Sequence, residues 1–389
     1  MSFSTIALSV LLIAILVVFL MDWIPQFNTW QSRIHIGRYT SKEIWKDKLV
    51  KKSVQWLHKT PTITVTDNNR LIIIDILKGN YKRTAIQSWQ KASLLLGLND
   101  YAIQTKDTVI KKQINDFVQN AFDATGNWKR NPTEVDDIIL GYAILKIENL
   151  DFFKYKPAFD YCYQLILSLK GTDGIIAYRK HNSDYRYVDT IGFISPFLVR
   201  YGILLNVNDA VELGISQIRE FNKYGMLEKH DIPCHTYNIK TKLSVGLFGW
   251  GRGLGWYAIG LIDAWLELPA AHPNKLEITE MVKSFAAMAV SFQNENGSWN
   301  WLITNAGSRL DSSTTATLAW FFANAAAIPE IQSIAEKAKD KALNYLMQVT
   351  RRDGAVDFSQ GDTKSIGVHS QHFDILPFTQ GLTLRTSLI

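Results

Sequence analysis

Cysteine is scarce in this sequence, with only Cys162 and Cys234 among 389 residues. Two cysteines so far apart cannot build a disulfide framework, and without a C-x-x-C pair there is no sign of a cysteine zinc site. The sequence also has no P-loop and no G-x-S-x-G nucleophile elbow. Phosphate-cradling chemistry and serine-nucleophile chemistry are therefore both disfavoured.

The sequence also lacks a charged tract suited to a nucleic acid. Its formal net charge is +6 and its pI is near 9.0, but the basic residues are scattered apart from a cluster in residues 42–59. No basic stripe with interleaved aromatic residues occurs, so a nucleic-acid partner is not expected. Aromatic residues are abundant, with 12 Trp, 15 Tyr and 19 Phe. They suit either a large core or a sugar-binding cleft, and composition does not decide between the two.

Charged side chains are absent from residues 1–21, and residues 6–21 are almost wholly aliphatic. Sixteen helical residues span roughly 24 Å, slightly less than a hydrocarbon core of about 30 Å, and Trp23 would extend the run to the interface. The segment lacks the basic start and the small-residue cleavage site of a signal peptide, and it has no polar face. We therefore predict a single-pass, uncleaved transmembrane helix in residues 1–24, rather than a buried core helix. The side of the membrane on which the remaining chain lies stays open.

The remaining chain has the apolar periodicity of helices rather than strands. The predicted helical segments are 86–98, 138–147, 159–169, 256–268, 278–292, 315–327 and 334–349. Residues 62–77 fit either a short β-rich excursion or the start of a buried helix. Glycines recur in similar settings after helical segments, which predicts left-handed stops in repeated helix pairs. These glycines are Gly126, Gly174, Gly225, Gly297 and Gly354. Five such repeats and a less obvious first one predict six hairpins closed into an α/α toroid.

The second helix of each predicted pair begins with polar residues. Asp136, Asp189 and Asp311 precede three of these helices, Arg252 precedes another, and His369 precedes the last. If the second helices form an inner ring, all these side chains meet at one end of the barrel. Helix N-termini gather there too, and their positive dipole ends favour an anionic ligand. An acidic sugar would suit such a cleft.

Each of the three aspartates has an ordinary structural explanation, because Asp is a favoured N-cap residue. Their appearance at equivalent points makes a catalytic role more plausible for at least one of them. The residues that follow Asp189, IGFISPFL, are apolar enough to bury its surroundings. A dry setting would raise the pKa of that carboxyl group toward proton donation.

The string WGRGLGW, residues 250–256, is the most unusual in the sequence. It could be a tight start to a helix with tryptophan packing. We favour a functional interpretation, in which Arg252 holds a carboxylate in its planar fork while Trp250 and Trp256 face a sugar ring. His235 precedes this string and could be structural or functional. Its spacing from His230 matches no recognised metal site, so no metal and no cofactor are predicted.

Several motifs resemble the unsaturated glucuronyl and galacturonyl hydrolases of glycoside hydrolase families 88 and 105, including the unsaturated rhamnogalacturonyl hydrolases. WGRGLGWYAIGLIDAWLELP resembles their central signature, YVDTIGFISPFLVRYG the segment with the catalytic aspartate, and VDDIILGYAIL the segment with a second carboxylate, here Asp136. The resemblance covers roughly residues 85–385. It implies an all-α (α/α)6 barrel, here preceded by a single transmembrane helix.

The resemblance also implies a reaction. The substrate would be an oligosaccharide ending in a 4,5-unsaturated uronic acid, and Asp189 would protonate C4 and then activate water for attack at C5. Arg252 would hold the uronate carboxylate, Trp250 and Trp256 would line the ring, and Asp136 and His235 would bind hydroxyls or water.

The expected organisation is an anchor in residues 1–24, a basic linker and the start of the catalytic region in 25–84, and the barrel in 85–389. Two other functions stay open. One is a membrane-tethered glycan-binding or assembly protein without catalysis. The other is a polysaccharide lyase on the same barrel, for which His235 and Tyr237 could supply the base. The sequence does not indicate an oligomeric state.

Overall fold

The computed structural model describes residues 2–63, 66–68, 70–80 and 87–389, and most of these residues are helical. The helices are α1 Phe3–Arg33, α2 Lys42–His58, α3 Ile72–Leu77, α4 Ser88–Thr105, α5 Thr108–Ala121, α6 Ile138–Leu145, α7 Phe152–Ser168, α8 Val188–Leu205, α9 Asn208–Tyr224, α10 Gly251–Glu267, α11 Lys275–Ser291, α12 Ser312–Ala325, α13 Gln332–Gln348 and α14 Pro377–Thr386.

Six of the described helices close into an inner ring. In order round the ring, α4 contacts α6, then come α8, α10, α12 and α14, and α14 returns to contact α4. An outer helix precedes each inner helix, so α2, α5, α7, α9, α11 and α13 surround the ring. Because every hairpin runs from outer to inner helix, the N-termini of the inner helices meet at one end. The predicted (α/α)6 barrel is confirmed.

The sequence explains which helices lie inside. Helix α8, VDTIGFISPFLVRYGILL, is apolar almost all round and is buried along most of its length. Helix α9 is striped and buries one face only. Helices of the first kind belong in a core, and those of the second kind at its surface. Small residues allow α8 and α10 to approach closely, since a Cβ on Gly260 would lie 2.5 Å from Ile191 Cγ2.

A recurring turn follows four of the outer helices. In each turn a backbone N–H donates to the carbonyl four residues on, as from Asp123 to Asn127 at 2.9 Å. The glycine inside each turn has a positive φ, and these glycines are Gly126, Gly174, Gly297 and Gly354. The prediction for Gly225 was wrong, because its φ is −102° and it caps α9 in a right-handed conformation.

Short strands occupy the loops that lead into inner helices. β1 Tyr185–Tyr187, β4 Thr236–Asn238 and β5 Ser244–Val245 form one antiparallel sheet, β2 Met226–Leu227 pairs with β3 Ile232–Pro233, and β6 Ser359–Gln360 pairs with β7 Phe373–Asp374. In the first sheet Tyr187 is paired with Thr236. The Val188 amide then donates to the His235 carbonyl at 3.0 Å, which places His235 beside the start of α8.

Helix α1 is longer than the predicted anchor. It runs through Pro25 and ends at Arg33, so the end expected after residue 24 was wrong. None of its residues is buried, and it is long and apolar enough to cross a membrane. Helix α8 passes the same test of length and composition but lies mostly inside the barrel. The Arg33 guanidinium pairs with Asp357 at 2.7 Å and so joins the end of α1 to the barrel.

The basic stretch in residues 42–59, expected to belong to a linker, is instead an outer helix of the barrel. Helix α2 packs against α14 and α4, and Trp45 and Leu49 are buried on that face. Trp45 Nε1 also donates to Thr350 Oγ1 at 2.9 Å. Most of the lysines lie on the other faces of the helix, whereas Lys52, whose side chain is 11% exposed, pairs with Asp353 and helps to dock it.

Neither structure expected for residues 62–77, a short β-rich excursion or the start of a buried helix, is found in the described part of that range. Thr64, Val65 and Asn69 lie outside the described residues, as does the predicted boundary between residues 84 and 85. Helix α3 occupies the end of the segment, and its apolar side chains are largely exposed rather than buried. Asp75 is the residue of α3 that is buried.

Candidate active site

A cleft of about 570 Å³ opens at the end of the barrel where the inner helices begin. Side chains from four of the inner helices or the loops just before them line it, together with the loop between β6 and β7 that precedes α14. The lining residues are Gln87, Trp89, Asp136, Tyr178, Arg179, His181, Asn182, Tyr187, Asp189, Phe193, His235, Trp250, Arg252, Trp256, Asp362, Thr363, Lys364, Ser365 and Ile366. All six residues predicted for the site are therefore neighbours in one cleft.

Asp189 lies in the first turn of α8, immediately after β1. Its side chain is 13% exposed, and Oδ2 has no hydrogen-bond partner among the described residues. Burial raises the pKa of this carboxyl group to about 7, although Arg252 opposes the shift. A carboxyl group with this pKa is about half protonated at neutral pH, so it can both donate and accept a proton.

His235 is close to Asp189 and is uncharged at neutral pH. Its Nε2 lies 3.7 Å from Asp189 Oδ2, beyond hydrogen-bonding distance but close enough to share a substrate hydroxyl or a water. Burial, with a smaller contribution from His369, lowers the pKa of His235 to about 3. A neutral imidazole leaves the proton of Asp189 in place, because no adjacent cation favours the carboxylate from that side.

Asp136 and its neighbour Asp137 have different roles in the turn before α6. Asp137 caps the turn by accepting hydrogen bonds from the Thr133 amide at 3.0 Å and from Ser88 Oγ at 2.6 Å. Asp136 instead lines the cleft and pairs with Arg179 Nη2 at 2.9 Å. Burial raises the pKa of Asp136, and the charge of Arg179 opposes that shift.

Arg252 lies in the first turn of α10, and only part of its guanidinium makes hydrogen bonds to described residues. Nη2 donates to the Gln360 carbonyl at 2.6 Å and also to Gly361, which fixes the group in place. Nε and Nη1 are buried and have no partner among the described residues. Buried guanidinium donors are costly to leave unpaired, so this arrangement suits an anionic ligand that accepts from Nη1 or from Nε.

The glycines around Arg252 have a packing role as well. A Cβ on Gly251 would lie 2.0 Å from Thr314 Oγ1, and one on Gly255 would lie 2.5 Å from Thr317 Oγ1. Both contacts are to α12, so the glycines allow two inner helices to touch. The glycines thus give the tight packing that places Arg252 in the cleft, and the role of Arg252 toward a carboxylate stays a prediction.

Trp250 and Trp256 occupy different parts of the cleft. Trp250 stacks near His235 and His369, with ring centroids 4.7 and 4.8 Å away, and donates from Nε1 to Gln360 at 3.1 Å. Trp256 is only 2% exposed and packs against Phe193 with ring centroids 4.2 Å apart. Trp250 is thus held by polar contacts at the cleft, whereas Trp256 is mainly a core residue with one edge on the cleft.

Some residues considered from the sequence do not reach the cleft. Asp311 is fully buried as the N-cap of α12. Tyr237, considered as a base with His235, packs its ring against Phe221 and Tyr224 of α9, with centroids 5.6 and 5.8 Å apart. The pair needed for the lyase interpretation is therefore not assembled. His369 lies behind Trp250 and is not part of the cleft lining.

Comparison with known proteins agrees with this geometry. The profile of Glycosyl Hydrolase Family 88 matches residues 51–383, which is most of the chain. The chain belongs to glycosyl hydrolase family 88. The match begins inside α2, so the basic stretch left outside the resemblance belongs in part to the family region.

Individual family 88 and 105 proteins are distant in sequence. Unsaturated rhamnogalacturonyl hydrolase YesR of Bacillus subtilis is 21% identical over 233 residues, which are 58% of this chain and 66% of that protein. A possible member of family GH105 from Salmonella enterica serovar Paratyphi A has a TM-score of 0.74 at 18% identity, covering 90% of this chain and 94% of that one. Unsaturated glucuronyl hydrolase from Bacillus sp. GL1 has a TM-score of 0.63 at 14% identity, covering 90% and 96%. These likenesses show the shared fold of a glycoside hydrolase family.

Sequence reasoning missed several lining residues of this family 88 cleft. Arg179 stacks its guanidinium 3.9 Å from the centroid of Tyr178 and pairs with Asp136. Asp362 is a third carboxylate, which accepts a hydrogen bond from Gln87 at 2.6 Å. These residues lie in loops with no helical period. Their one sequence signal is that each lies in a loop just before a predicted second helix.

The cleft holds carboxylates and imidazoles but no cluster suited to a metal. Within residues 2–63, 66–68, 70–80 and 87–389, no three His, Cys, Asp or Glu side chains come together as metal ligands. The groups that can act on a ligand here are a carboxyl group with a raised pKa, a half-satisfied guanidinium and the neutral imidazole of His235.

Proposed function

We propose that this protein hydrolyses oligosaccharides that end in a 4,5-unsaturated uronic acid, by hydration of the double bond. One observation carries the proposal. Asp189, with an unpartnered Oδ2 and a pKa near 7, shares a cleft with Arg252, whose Nε and Nη1 are unpartnered. A proton donor beside a guanidinium with two unpartnered N–H groups fits a substrate that has an alkene next to a carboxylate.

The first chemical step is protonation of the alkene. Asp189 in its acid form donates its proton to C4, and the electron pair of the C4–C5 double bond forms the new C–H bond. The positive charge that develops at C5 is shared with the ring oxygen, as in an oxocarbenium ion. The resulting Asp189 carboxylate lies in a dry site, where its charge stabilises a nearby cation strongly.

The second step restores the acid. Water attacks C5, and the Asp189 carboxylate takes the proton that the water loses, so one residue acts as acid and then as base. The product is a hemiketal at C5. It opens to a ketone, the ring oxygen becomes a hydroxyl on C1, and C1 then expels the neighbouring sugar as an alcohol. The atoms of one water are consumed, and no other reactant is needed.

The other residues bind and orient the substrate. Arg252 would donate from Nη1 to one oxygen of the uronate carboxylate, which keeps C4 and C5 at a fixed distance from Asp189, while Nε, which points away from Nη1, would donate to a second acceptor. Asp136, held by Arg179, and neutral His235 can accept or donate hydrogen bonds to ring hydroxyls and to the attacking water. Trp250 and Trp256 both line the cleft, where their rings would provide flat apolar surfaces for the sugar.

The two alternative functions are supported less well. For a lyase, the tyrosine that does contact His235 in the cleft is Tyr187, with ring centroids 5.6 Å apart. Burial raises the pKa of Tyr187, which makes it harder to ionise and a poor base. A binding protein without catalysis would have no use for a carboxyl group kept half protonated and unpartnered, since that group costs stability.

A single assay separates the three functions. The full-length protein is incubated with an unsaturated disaccharide and, separately, with intact acidic polysaccharide, and the ultraviolet absorbance of the conjugated uronate is followed. Absorbance that falls with the disaccharide supports the hydrolase. Absorbance that rises with the polymer indicates a lyase, and unchanged absorbance in both indicates a binding protein.

Helix α1 would serve as a membrane anchor in the same protein. Its 31 residues are fully outside the core and are apolar enough to span a bilayer. A signal sequence near the N-terminus has the same length and composition. Mass spectrometry of the mature protein from a membrane fraction tests the anchor, because cleavage would remove most of α1.

A further inference from the structure

An apolar surface separate from the cleft lies beside α1. Helix α3 and the residue before it expose Leu71, Ile74, Ile76 and Leu77 to solvent, and Leu77 is 81% exposed. Soluble surfaces scatter such residues singly, whereas clusters mark a contact with another apolar phase. Arg70 and Lys78 flank the cluster and are also exposed, which suits anionic headgroups.

The cluster is a folded feature rather than a loose loop. Asp75 is 1% exposed and accepts hydrogen bonds from Thr66 at 2.7 Å, from Asn80 at 3.2 Å and from Asn68 at 3.3 Å. The carboxylate thus ties both ends of the segment together. With its polar groups turned inward around Asp75, the segment leaves its apolar side chains outward.

Helix α1 fixes the position of this cluster. The Asp22 carboxylate accepts from the Leu71 amide at 2.6 Å and from the Ile72 amide at 2.9 Å. Leu71 has a φ of 52°, a left-handed conformation that costs a non-glycine residue roughly 1–2 kcal/mol, and these hydrogen bonds hold it. Helix α3 is therefore attached to α1 at one particular residue.

The place of attachment corresponds to a membrane surface. The apolar part of α1 before Asp22 begins at Phe3, and its helical rise of about 1.5 Å per residue gives roughly 28 Å, close to a hydrocarbon core of about 30 Å. Asp22 then lies at the boundary of the core, and Leu71 and Ile72 lie at the same level. The exposed aromatic residues Trp23 and Trp30 follow on α1, as at a membrane interface.

We infer that α3 is a second lipid contact, which inserts Leu71, Ile74 and Leu77 into the interface of the bilayer spanned by α1. The inference rests on the anchor proposed above. The occupant is lipid rather than another protein because the cluster is continuous with the candidate span and is held at the depth of its end. Basic flanking residues favour an anionic bilayer.

The same segment reaches the wall of the cleft. Asp67 accepts from Lys364 Nζ and from Ser370 Oγ, both at 2.6 Å, and its carbonyl bonds to His372 Nε2 at 2.6 Å. Lys364 lines the cleft. From the other side, Arg33 at the end of α1 donates to Asp357 and to the Phe373 carbonyl. The two lipid-facing elements thus hold both ends of the loop that walls the cleft, which places the cleft near the bilayer.

Site-specific fluorescence tests this inference without depending on activity. Cys162 and Cys234 are free and buried, so a thiol-reactive, polarity-sensitive dye selects a new exposed cysteine. Leu77→Cys is labelled in the full-length protein and reconstituted in phosphatidylcholine–phosphatidylglycerol vesicles, some of which contain lipid with a nitroxide near the headgroup. The expected result is a blue shift of the dye and a loss of its emission in the nitroxide vesicles.

Two matched positions make the result decisive. Leu276→Cys, an exposed leucine on α11, should show neither change. Leu12→Cys reports the anchor itself in vesicles whose lipid carries the nitroxide on the acyl chain, because residue 12 lies at the middle of the apolar part of α1. Quenching at position 12 without quenching at 77 would contradict the inference and leave the anchor intact. Absence of quenching at both positions would contradict both. A blue shift at 77 without lipid quenching would mean that protein covers α3, which also overturns the inference.

Discussion

Asp189 and Asp311 occupy matching places and have opposite hydrogen-bonding states. Both lie at the N-terminus of an inner helix, Asp189 in the first turn of α8 and Asp311 at the N-cap of α12, and both are shielded from solvent. Asp311 accepts five hydrogen bonds from described groups, in Ser313, Thr314 and Gln360. Asp189 has an oxygen with none. At corresponding positions of one ring, the carboxylate whose hydrogen bonds are all made stabilises the fold, and the carboxylate with an unbonded oxygen is available for chemistry.

The same contrast appears among the buried arginines. Arg385 binds Asp100 at 2.7 Å and Asp263 at 3.1 Å, and its charge lies 3.6 Å from the centre of the Trp320 ring. Arg252 has carbonyl partners for Nη2 and none for Nε and Nη1. Among the described residues, the charged side chains with a buried atom that lacks a hydrogen bond are Asp136, Asp189 and Arg252, and all three line the cleft. Such groups are costly in a folded protein, so they are a stronger sign of a ligand site than residue type alone.

The largest expected effect comes from Asp189→Asn. Asparagine keeps the shape but cannot donate and recover a proton, so turnover of an unsaturated disaccharide should fall by about 10²–10⁴-fold or more. The circular dichroism spectrum and substrate binding should stay close to those of the wild type. Asp311→Asn is the matched control, and its folded fraction should keep most of its turnover. Near-wild-type turnover by Asp189→Asn would remove this residue from the mechanism.

A smaller kinetic effect is expected for Arg252→Lys. Lysine keeps the charge but loses the planar fork, and the loss of one charge-assisted hydrogen bond corresponds to about 1.5–3 kcal/mol, or roughly 10–150-fold in kcat/KM. Most of the change should appear in KM, with the melting temperature little altered. If the melting temperature falls and the kinetics do not change, Arg252 is structural, as we take Arg385 to be.

The pH dependence of turnover should report the raised pKa of Asp189. The first step requires the protonated acid, so kcat/KM should fall about tenfold per pH unit above a pKa of about 7. His235 and His369 have lowered pKa values of about 3 and about 4, so they stay neutral across this range and should add no limb near pH 6.5. An alkaline limb that begins near pH 5 would show that Asp189 has an ordinary pKa when it reacts.

Stability should change in opposite directions for the two aspartates. The folded-state pKa of Asp189 exceeds the ordinary value of 3.8, so the folded state binds more protons between about pH 4 and 7. The free energy of unfolding contributed by this group therefore declines as pH rises through that range. Asp189→Asn should therefore be more stable than the wild type at pH 8. In Asp311→Asn the side-chain NH₂ group faces the Thr314 N–H, so two donors oppose each other. The free energy of unfolding should fall by about 1–3 kcal/mol. Chemical unfolding of both variants at pH 8 and pH 4 measures this, and equal effects would contradict the comparison.

The sequence was most informative where one residue type has one structural meaning. Helical periods and the recurring glycines predicted the closed barrel, because left-handed glycines and apolar faces follow from local geometry. Gly225 departed from the rule because the α9 turn leads directly into β2 rather than into the recurring turn. The clustered lysines of α2 predicted a linker, although Trp45 and Leu49, buried on one face, are enough to dock the helix.

The cleft could be predicted only in part. The motifs around Asp189 and Arg252 indicated where to look, and Asp136 was chosen over Asp137 from the resemblance alone. Whether an aspartate has all its hydrogen-bond partners depends on residues far along the chain, such as Gln360, whose amide bonds to Asp311 across 49 residues. Asp362 and Arg179 lie in loops whose paths the sequence pattern does not fix. The hydrogen-bonding difference between Asp189 and Asp311 was therefore not predictable before folding.

Hydrolysis in heavy water tests the central claim most directly. An unsaturated disaccharide is incubated with the wild-type protein in D₂O, and proton NMR follows the vinyl signal at C4 together with the released sugar. The account predicts that the vinyl signal disappears at the rate at which sugar is released, that C4 of the product gains one deuterium, and that Asp189→Asn does neither. Release of the sugar while the vinyl proton persists would show ordinary cleavage at C1 and would contradict the role assigned to Asp189.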